Sequence, residues 1–273
     1  MAYNLIGANA SVTSWGSTNF YSTCLAAITP NSARINITND DQEVTGIGAF
    51  ASVMIPGLKS ANVTLGGYAG SPVYLGNAGS ITSTGTPNGY VTTVQSWEWV
   101  ARTPTVHDIT PFGGTPTWKT FRPDIFTSSL RYTALVDSST SLAPAPDAGG
   151  GLQTVTLTYV SGGTIAMSGL IKQIGVTAVR GNKQLVTYQL DGSSTVTTAG
   201  GIFGTYTMGG ANNTHPLWSA GGSAAGAMVV TLLTGKTISL ADSFYTSMRV
   251  SCAPSAPVAV EFNVQATGAV TIA

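Results

Sequence analysis

Apolar and polar residues alternate with a period of two in many short segments of this sequence. The alternation is clearest at 34–38, 96–99, 154–159, 184–190 and 258–264. A period of two places one face of a strand against a core and the other face outward. Helical periodicity is scarce along the chain. The pattern therefore predicts an all-β fold with little helix.

The best candidate for a helix is the segment 239–248. No strong capping residue flanks this segment. It also lies inside a repeated unit whose other copy is strand-like. The sequence therefore supports a helix and a strand equally at this position.

Two segments, 154–192 and 225–268, repeat one pattern of apolar residues. The matched pairs are Ile165/Ile238 and Met167/Leu240 at an offset of 73, and Ile174/Met248, Val176/Val250, Ala178/Cys252, Val186/Val260, Tyr188/Phe262 and Leu190/Val264 at an offset of 74. Because eight apolar positions match with a single change of offset, we interpret the two segments as copies of one unit.

A second repeated unit lies upstream, at 32–70 and 94–140. Its matched pairs, at an offset of 67, are Pro56/Pro123, Leu58/Ile125, Val63/Leu130 and Leu65/Tyr132. The chain is therefore expected to contain two modules related by internal duplication, each built from one copy of each unit. Stretches rich in Gly, Ser, Thr, Pro and Asn separate the units at 70–90, 141–152 and 197–223, and we predict loops there.

The repeated units can combine in two ways, because the inner two and the outer two can each form a module or the copies can interleave. Sequential elements tend to be spatial neighbours and connections avoid crossing, which favours nesting. We therefore predict an inner module, 91–199, inserted into an outer module made of 1–90 plus 200–273. Strands around Ile35 and Val63 should then pair with 258–264, and Cys24 should lie in the same module as Cys252.

Charged residues are unusually rare. The chain of 273 residues has 11 Lys and Arg and 11 Asp and Glu, so its formal charge is zero and charged residues make up 8% of it, against roughly 25% in ordinary domains. The chain thus lacks the basic field that clamps nucleic-acid phosphates and the basic cluster of a polybasic membrane binder. A monomer with so few charges is poorly protected against association, so we expect copies of the chain to cover much of its surface.

No membrane span, disulfide framework or secretory signal is expected. The most apolar stretch, 225–233, is far shorter than the roughly 20 residues of a spanning helix. Residues 1–7 lack the basic and apolar regions of a secretory signal. Cys24 and Cys252 have neither metal-ligand nor disulfide-framework spacing, so we expect two reduced, partly buried thiols in a chain that folds in a reducing cytoplasm.

A cofactor site is not indicated. Gly46-x-Gly48 imitates a dinucleotide-binding fingerprint, but Pro56 follows within eight residues of Gly48. That spacing leaves no room for the helix whose N-terminus receives the pyrophosphate. We interpret the glycines as a turn that enters a strand, and we expect no cofactor.

Catalytic and metal-binding residues are also sparse. His107 and His215 are the two candidate bases at neutral pH, and no ligand spacing around either indicates a metal site. Asp108 directly follows His107, which does not orient an imidazole as a catalytic triad requires. A turn role for Asp108 is therefore favoured, and we expect neither enzymatic activity nor a metal.

Several segments together resemble one protein family. An acidic and glycine-containing stretch, 40–48, precedes Ile55-Pro-Gly-Leu58 and an alternating strand that ends at Tyr68. The segment 120–134 has the same layout around Pro123, and the segment 162–169 is similar to the half of the family fold in which small residues precede the barrel-closing strands. This arrangement is similar to the tail tube, or major tail, proteins of long-tailed bacteriophages.

The resemblance implies a structural virion protein. It implies two tube-type β-barrel or sandwich modules per chain, whose copies pair edge to edge into rings. Stacked rings would form a channel through which DNA passes without specific binding. Six modules in a ring imply trimers of this chain with pseudo-sixfold symmetry. The other partners implied are tail proteins, and the locations are the virion tail and, during assembly, the host cytoplasm.

Asp40, Asp41 and Glu43 form the candidate functional turn, because three of the eleven acidic residues lie within four positions. One interpretation is a solvated turn. The resemblance adds a second, a negatively charged loop at the lumen or between rings that would repel DNA.

Tryptophans suggest an alternative of another class. Trp97 and Trp99 are expected to be divided between the core and a subunit contact, because strand residues face alternate sides. With Trp118 and Trp218 they also suggest a carbohydrate-binding β-sandwich or adhesin. Within the viral class, the alternatives are a tail terminator, a distal tail protein or a capsid decoration protein of related fold.

Overall fold

The computed structural model describes a large part of the chain. The described residues are 11–15, 28–43, 54–55, 57–69, 76, 79–84, 94–102, 106–111, 117–123, 127–136, 152–160, 162–208, 226–233 and 236–273. The predictions made above for Cys24, Gly46, Gly48, His215 and Trp218 fall outside these residues.

The described residues form strands almost throughout, so the prediction of an all-β fold with little helix is confirmed. The strands are β1 (Ser11–Trp15), β2 (Ile28–Asn39), β3 (Gln42–Glu43), β4 (Met54–Ile55), β5 (Lys59–Ala69), β6 (Ser80–Thr84), β7 (Val94–Arg102), β8 (Val106–Asp108), β9 (Phe121–Pro123), β10 (Thr127–Leu135), β11 (Gln153–Val160), β12 (Gly163–Thr177), β13 (Leu185–Ala199), β14 (Tyr206–Met208), β15 (Gly226–Leu233), β16 (Lys236–Cys252), β17 (Ala259–Ala266) and β18 (Val270–Ile272).

Burial alternates along the strands as the sequence pattern predicts. In β17, Val260, Phe262 and Val264 are buried, whereas Glu261 and Asn263 between them are partly exposed. Burying one large apolar side chain contributes about 1.5–3 kcal/mol. A slip of one residue in the pairing would turn this whole set outward, so the alternation also selects the register.

Most strands belong to one antiparallel sheet. Its main path runs β2-β5-β17-β16-β7-β10-β13-β12-β11-β6. β15 joins it by pairing with β16, and β1 pairs with β15, while β14 pairs with β13 and β18 with β16. The hairpins β3–β4 and β8–β9 form two separate small sheets.

The same strand order occurs twice in this sheet. The first series is β2-β5-β17-β16-β15-β1 and the second series is β7-β10-β13-β12-β11-β6. Facing residues in the second series and their counterparts in the first are Ile174/Tyr188 with Met248/Phe262, Leu130/Leu190 with Val63/Val264, and Leu157/Ile165 with Val230/Ile238. Positions that match in the sequence therefore occupy the same register in the sheet.

A β-bulge recurs at the same place in both series. The register shifts between Ile171 and Gln173 in β12, and between Tyr245 and Ser247 in β16. A bulge changes the phase of the alternation, which accounts for the helix-like spacing of apolar residues in 239–248. That segment lies within strand β16, so the helical alternative is wrong there.

The sheet pairs the two ends of the chain around its middle. Ile35 of β2 faces Val63 of β5, and Val63 faces Val264 of β17, which is the strand pairing expected for a nested arrangement. The first series joins the second where β16 pairs with β7. β6 and β14 pair with β11 and β13, respectively. These two strands fall in the predicted loops 70–90 and 197–223, so parts of those loops are strand. Through them, residues near the edges of the predicted outer module, 1–90 plus 200–273, pair with strands of the predicted inner module, 91–199.

Phe203 lies at the centre of the core. Its ring centroid is 6.3 Å from that of Trp99 in β7, 5.5 Å from Tyr159 in β11 and 6.3 Å from Phe262 in β17. These strands are well separated along the path, so the sheet curls around Phe203. The preceding turn needs glycine, because Gly201 has a φ of 58° and a Cβ there would collide with the Tyr159 hydroxyl.

Trp97 and Trp99 are both buried, so their predicted division between the core and a subunit contact is wrong. The reason is geometric, because residues two apart in a strand share a face. Glu98 between them faces the opposite side, where it pairs with Arg249.

Candidate functional site

The acidic turn follows the long strand β2. Asp40 and Asp41 lie directly after its last residue, Asn39, and Glu43 ends the short strand β3. The three acidic side chains are exposed. The Asn39 Nδ2 donates a hydrogen bond of 2.7 Å to the Asp41 Oδ1, which fixes that carboxylate beside the strand end.

A tight backbone approach fixes where this turn lies. The Asp40 N–H donates to the Leu58 carbonyl at 3.1 Å, just before β5 begins. A Cβ at Gly57 would collide with the Asp40 carbonyl oxygen, so only glycine fits there. Gly57 and Leu58 therefore place the acidic turn against the start of β5.

Lys119 neutralises part of the acidic turn. Its Nζ lies 3.0 Å from the Asp40 Oδ2 and 3.6 Å from the Asp108 Oδ2. The hydrogen bond to Asp40 is the main cause of a raised pKa at Lys119, which partial burial opposes. The arrangement is an acid–base–acid bridge at the protein surface, and such exposed bridges are worth about 0–1 kcal/mol each.

Backbone hydrogen bonds hold Lys119 in place. Its N–H donates to the Lys59 carbonyl at 2.8 Å, and its carbonyl accepts from the Gly268 N–H at 3.1 Å. The nearby Phe121 N–H donates to the Thr267 Oγ1 at 2.9 Å. The segment thus spans the start of β5 and the turn between β17 and β18. Sequence analysis missed Lys119, because no local motif marks a residue 79 positions from its partner.

Asp108 has the turn role that its position suggested. Its Oδ1 accepts hydrogen bonds from both the N–H and the Oγ1 of Thr110. The hydroxyl bond is the main cause of a lowered pKa at Asp108, and Lys119 adds to it while desolvation opposes it. The adjacent His107 is exposed in β8, opposite Arg122.

No metal cluster occurs in the described part of the chain, where no three His, Cys, Asp or Glu residues lie close enough to share an ion. Cys252 is buried, and its Sγ donates to the Gly76 carbonyl at 3.2 Å. Desolvation raises the pKa of this thiol to about 11. The thiol therefore stays protonated at neutral pH, and a thiolate nucleophile is not available there.

Trp97 and Trp99 present no open aromatic platform. Trp97 and Trp99 are buried in the core. Trp118 is half-buried, and the Lys59 Nζ lies 5.8 Å from its ring centroid. A sugar would need an exposed ring face on which to stack, which the buried Trp97 and Trp99 do not offer.

The outward face of the central strands is polar and of mixed charge. Arg249 of β16 forms an ion pair with Glu98 of β7. On β17, the Asn263 Oδ1 accepts from the Thr64 hydroxyl at 2.7 Å and its Nδ2 donates to the Ser247 hydroxyl at 2.8 Å. Cations on this face thus alternate with acids and amides, and no basic stripe runs across the described parts of these strands.

Neither models of known protein families nor curated proteins match this sequence. Among the described residues, no helix is both long and apolar enough to cross a lipid bilayer.

Proposed function

We propose that this protein is a structural subunit of a hollow tube like the tail tube of a long-tailed phage, and that it has no enzymatic activity. One observation carries the proposal. Two series of six strands follow the same order in one sheet and keep the same register. A chain that holds two copies of one edge-pairing module is suited to building a closed ring from few subunits.

Internal duplication accounts for this agreement. Alternating strands match one another readily in sequence, so the sequence offsets alone are weak support. The recurrence of the bulge at Ile171/Gln173 and Tyr245/Ser247 is stronger support, because a bulge is a specific feature that families preserve. We therefore propose two tube-type modules, an outer one from both chain ends and an inner one from the middle.

Barrel or sandwich modules fit the curvature of the sheet. β7, β11 and β17 all reach Phe203, although three strands separate β11 from β7 along the path and five separate it from β17. A sheet that curls this far buries one face around a core and leaves its polar face outside. The module architecture that we propose for the tube subunit has this form.

The charge distribution suits a conduit through which DNA slides. Binding to DNA gains most of its free energy when Lys and Arg neutralise phosphates. On the polar face, Arg249 is paired with Glu98, and Lys119 lies between Asp40 and Asp108. A wall of paired charges gives DNA few phosphate contacts. We propose that the acidic turn lies at the lumen or between rings, beside other tail proteins in the virion.

Electron microscopy of the purified full-length chain tests the proposal. We expect rings or stacked tubes in negative stain, and end-on averages with six similar densities. Native mass spectrometry of the rings should give a mass of three chains. Six chains per ring would contradict the idea that both modules line the ring, and a chain without rings or tubes at any concentration would contradict the tube function.

A further inference from the structure

We propose that the second half of β12 pairs with β2 of a second copy of this chain, in the register that β16 and β7 use within one chain. This inference rests on the duplication proposed above and adds the contact surface, the partner and the register. The proposed contact uses two strand edges that have one neighbour each in the described structure. One is β2, at the end of the sheet path, and the other is β12 beyond Gly169.

The template is the junction between the two series. β16 and β7 pair over six residues, and the facing pairs are Ser247/Arg102, Met248/Ala101, Arg249/Val100, Val250/Trp99, Ser251/Glu98 and Cys252/Trp97. This junction joins the fourth strand of the first series to the first strand of the second series. It is an intramolecular example of how one module contacts the next.

The same pairing can be transferred to the two open edges. β12 is the fourth strand of the second series, and β2 is the first strand of the first series. The offset of 74 relates β16 to β12. The pairing within the sheet relates β7 to β2. Trp99 of β7 faces Leu130, and Ile35 of β2 faces Val63. Leu130 and Val63 are equivalent positions in the two series. The pairs transferred from the junction are Gln173/Thr38, Ile174/Ile37, Gly175/Asn36, Val176/Ile35, Thr177/Arg34 and Ala178/Ala33, with the second residue of each on the second copy.

Exposure of apolar side chains marks these two edges. Met248 and Val250 of β16 are fully buried where this strand pairs with β7. Val176, the counterpart of Val250, is 53% exposed because β12 has no such neighbour, and Ile37 on β2 is 41% exposed. The transferred register brings Val176 against Ile35 and Ile174 against Ile37. Each edge would therefore cover the apolar residues of the other.

The two segments proposed to pair carry few of the devices that prevent strand addition. Natural edge strands are protected by charges, prolines or a covering element. The segment 173–178 contains no charged residue and no proline, and 33–38 contains the single charge of Arg34. A Cβ added at Gly175 would meet nothing within 4 Å, so no described residue covers that face of β12 at this position.

The geometry of the contact leads to a ring. Each chain offers β2 on one side and β12 on the other, so the contact is heterologous and repeats until the rotation closes. If the contact between chains has the same geometry as the contact within a chain, every module contacts its two neighbouring modules in the same way. A second copy is thus the occupant that satisfies both edges at once.

Disulfide cross-linking tests the register. Chains carrying Thr177→Cys are mixed with chains carrying Arg34→Cys, both on the polar face, and oxidised. We expect a covalent dimer, because directly opposed Cβ atoms lie about 4.5–5.5 Å apart. Thr177→Cys with Asn36→Cys is the matched control, since diagonal positions lie about 7–8 Å apart. The unmodified chain, treated identically, measures any cross-linking through its own two cysteines.

Charge substitution tests the contact itself. Val176→Asp should leave the monomer folded, because the side chain is already exposed, and should abolish assembly. Val179→Asp is the matched control, because Val179 is equally exposed at 53% and lies beyond the paired segment. We expect it to assemble like the unmodified chain. Assembly of Val176→Asp at the normal concentration would overturn the proposal.

The outcomes separate this inference from the tube function. A cross-link between the Thr177→Cys and Arg34→Cys chains, in rings that never stack, would support the edge contact and contradict the tube. Tubes that form without a cross-link in the predicted register would overturn the contact and leave the tube function standing. The same conclusion follows if tubes form and the Asn36→Cys control cross-links as well. An unmodified chain that stays monomeric would overturn both.

Discussion

Val250 of β16 lies directly opposite Trp99 of β7, and neither side chain is exposed to solvent. This pair joins the outer segments of the chain to the inner segment. Because large apolar residues meet there, the two series of strands share one core. The junction therefore contributes to the stability of the chain as well as providing the template for the contact between chains.

Truncation at the junction should be severely destabilising. We expect Trp99→Ala to lower the free energy of unfolding by about 3–5 kcal/mol, as other large-to-small core substitutions do. Chemical denaturation followed by far-UV circular dichroism measures it without relying on tryptophan fluorescence. Trp118→Ala, at a half-buried position, is the control and should lower it by less. Equal losses would contradict the central position of Trp99.

Two glycines should respond oppositely to the same substitution. Gly57→Ala forces a Cβ into the Asp40 carbonyl, and we expect a loss of about 1–3 kcal/mol, as for other overpacked sites. Gly175→Ala meets open space in β12, so its unfolding free energy should change by no more than about 0.5–1 kcal/mol, in the stabilising direction. Thermal or urea unfolding of both variants measures the two changes in unfolding free energy. An unchanged unfolding free energy for Gly57→Ala would show that the turn can move.

Asp108 should contribute to stability in a pH-dependent way. Its pKa is lowered in the folded chain, mainly by the Thr110 hydrogen bond. The folded state therefore gains stability above the unfolded pKa and loses it as the pH falls through the folded pKa. We expect Asp108→Asn to be less stable than the parent at pH 7 by less than about 1 kcal/mol, with the difference vanishing near pH 2. A difference that is constant from pH 7 to pH 2 would exclude this origin.

The acidic turn should matter for DNA passage and little for folding. Replacing Asp40, Asp41 and Glu43 with Lys should keep the fold, because surface substitutions usually change stability by about 0.5 kcal/mol or less each, and loss of the exposed pair of Asp40 with Lys119 costs about 1 kcal/mol or less. If the turn faces the channel, DNA delivery should fall, because the new cations contact phosphates. Particles built from the variant are assayed for infectivity. The neutral variant Asp40→Asn/Asp41→Asn/Glu43→Gln is the control, and normal infectivity of the lysine variant would leave the solvated turn as the interpretation.

The candidate site was only partly visible in the sequence. Asp40, Asp41 and Glu43 are neighbours in the chain, so they stand out in any reading of it. Lys119 does not, because it reaches Asp40 through hydrogen bonds between distant backbone segments. Such partners depend on how loops cross the ends of the sheet, which no local pattern encodes.

Local alternation failed where the sheet departs from regularity. The bulge at Tyr245/Ser247 shifts the phase of β16, and the resulting spacing resembles a helix. The strand β6 has too few apolar residues to be recognised alone, and it is a strand because β11 offers it an edge. Phe203 sits in a glycine-rich turn that resembles a loop, yet strands from both series pack on its ring.

The class of fold, the offsets of the repeated apolar pattern and the low share of charged residues can be read from the sequence alone, because strand periodicity and residue type are local properties of the chain. The tertiary structure adds the register of the strand pairs, the junction between the two series and the strand edges that have one neighbour among the described residues. Those features depend on contacts between residues far apart in sequence, such as Val250 with Trp99, and hydrogen bonds between strand backbones carry no signature of their partner. In the described part of the chain, β2 and the second half of β12 are open edges because no strand occupies the place that β7 has beside β16.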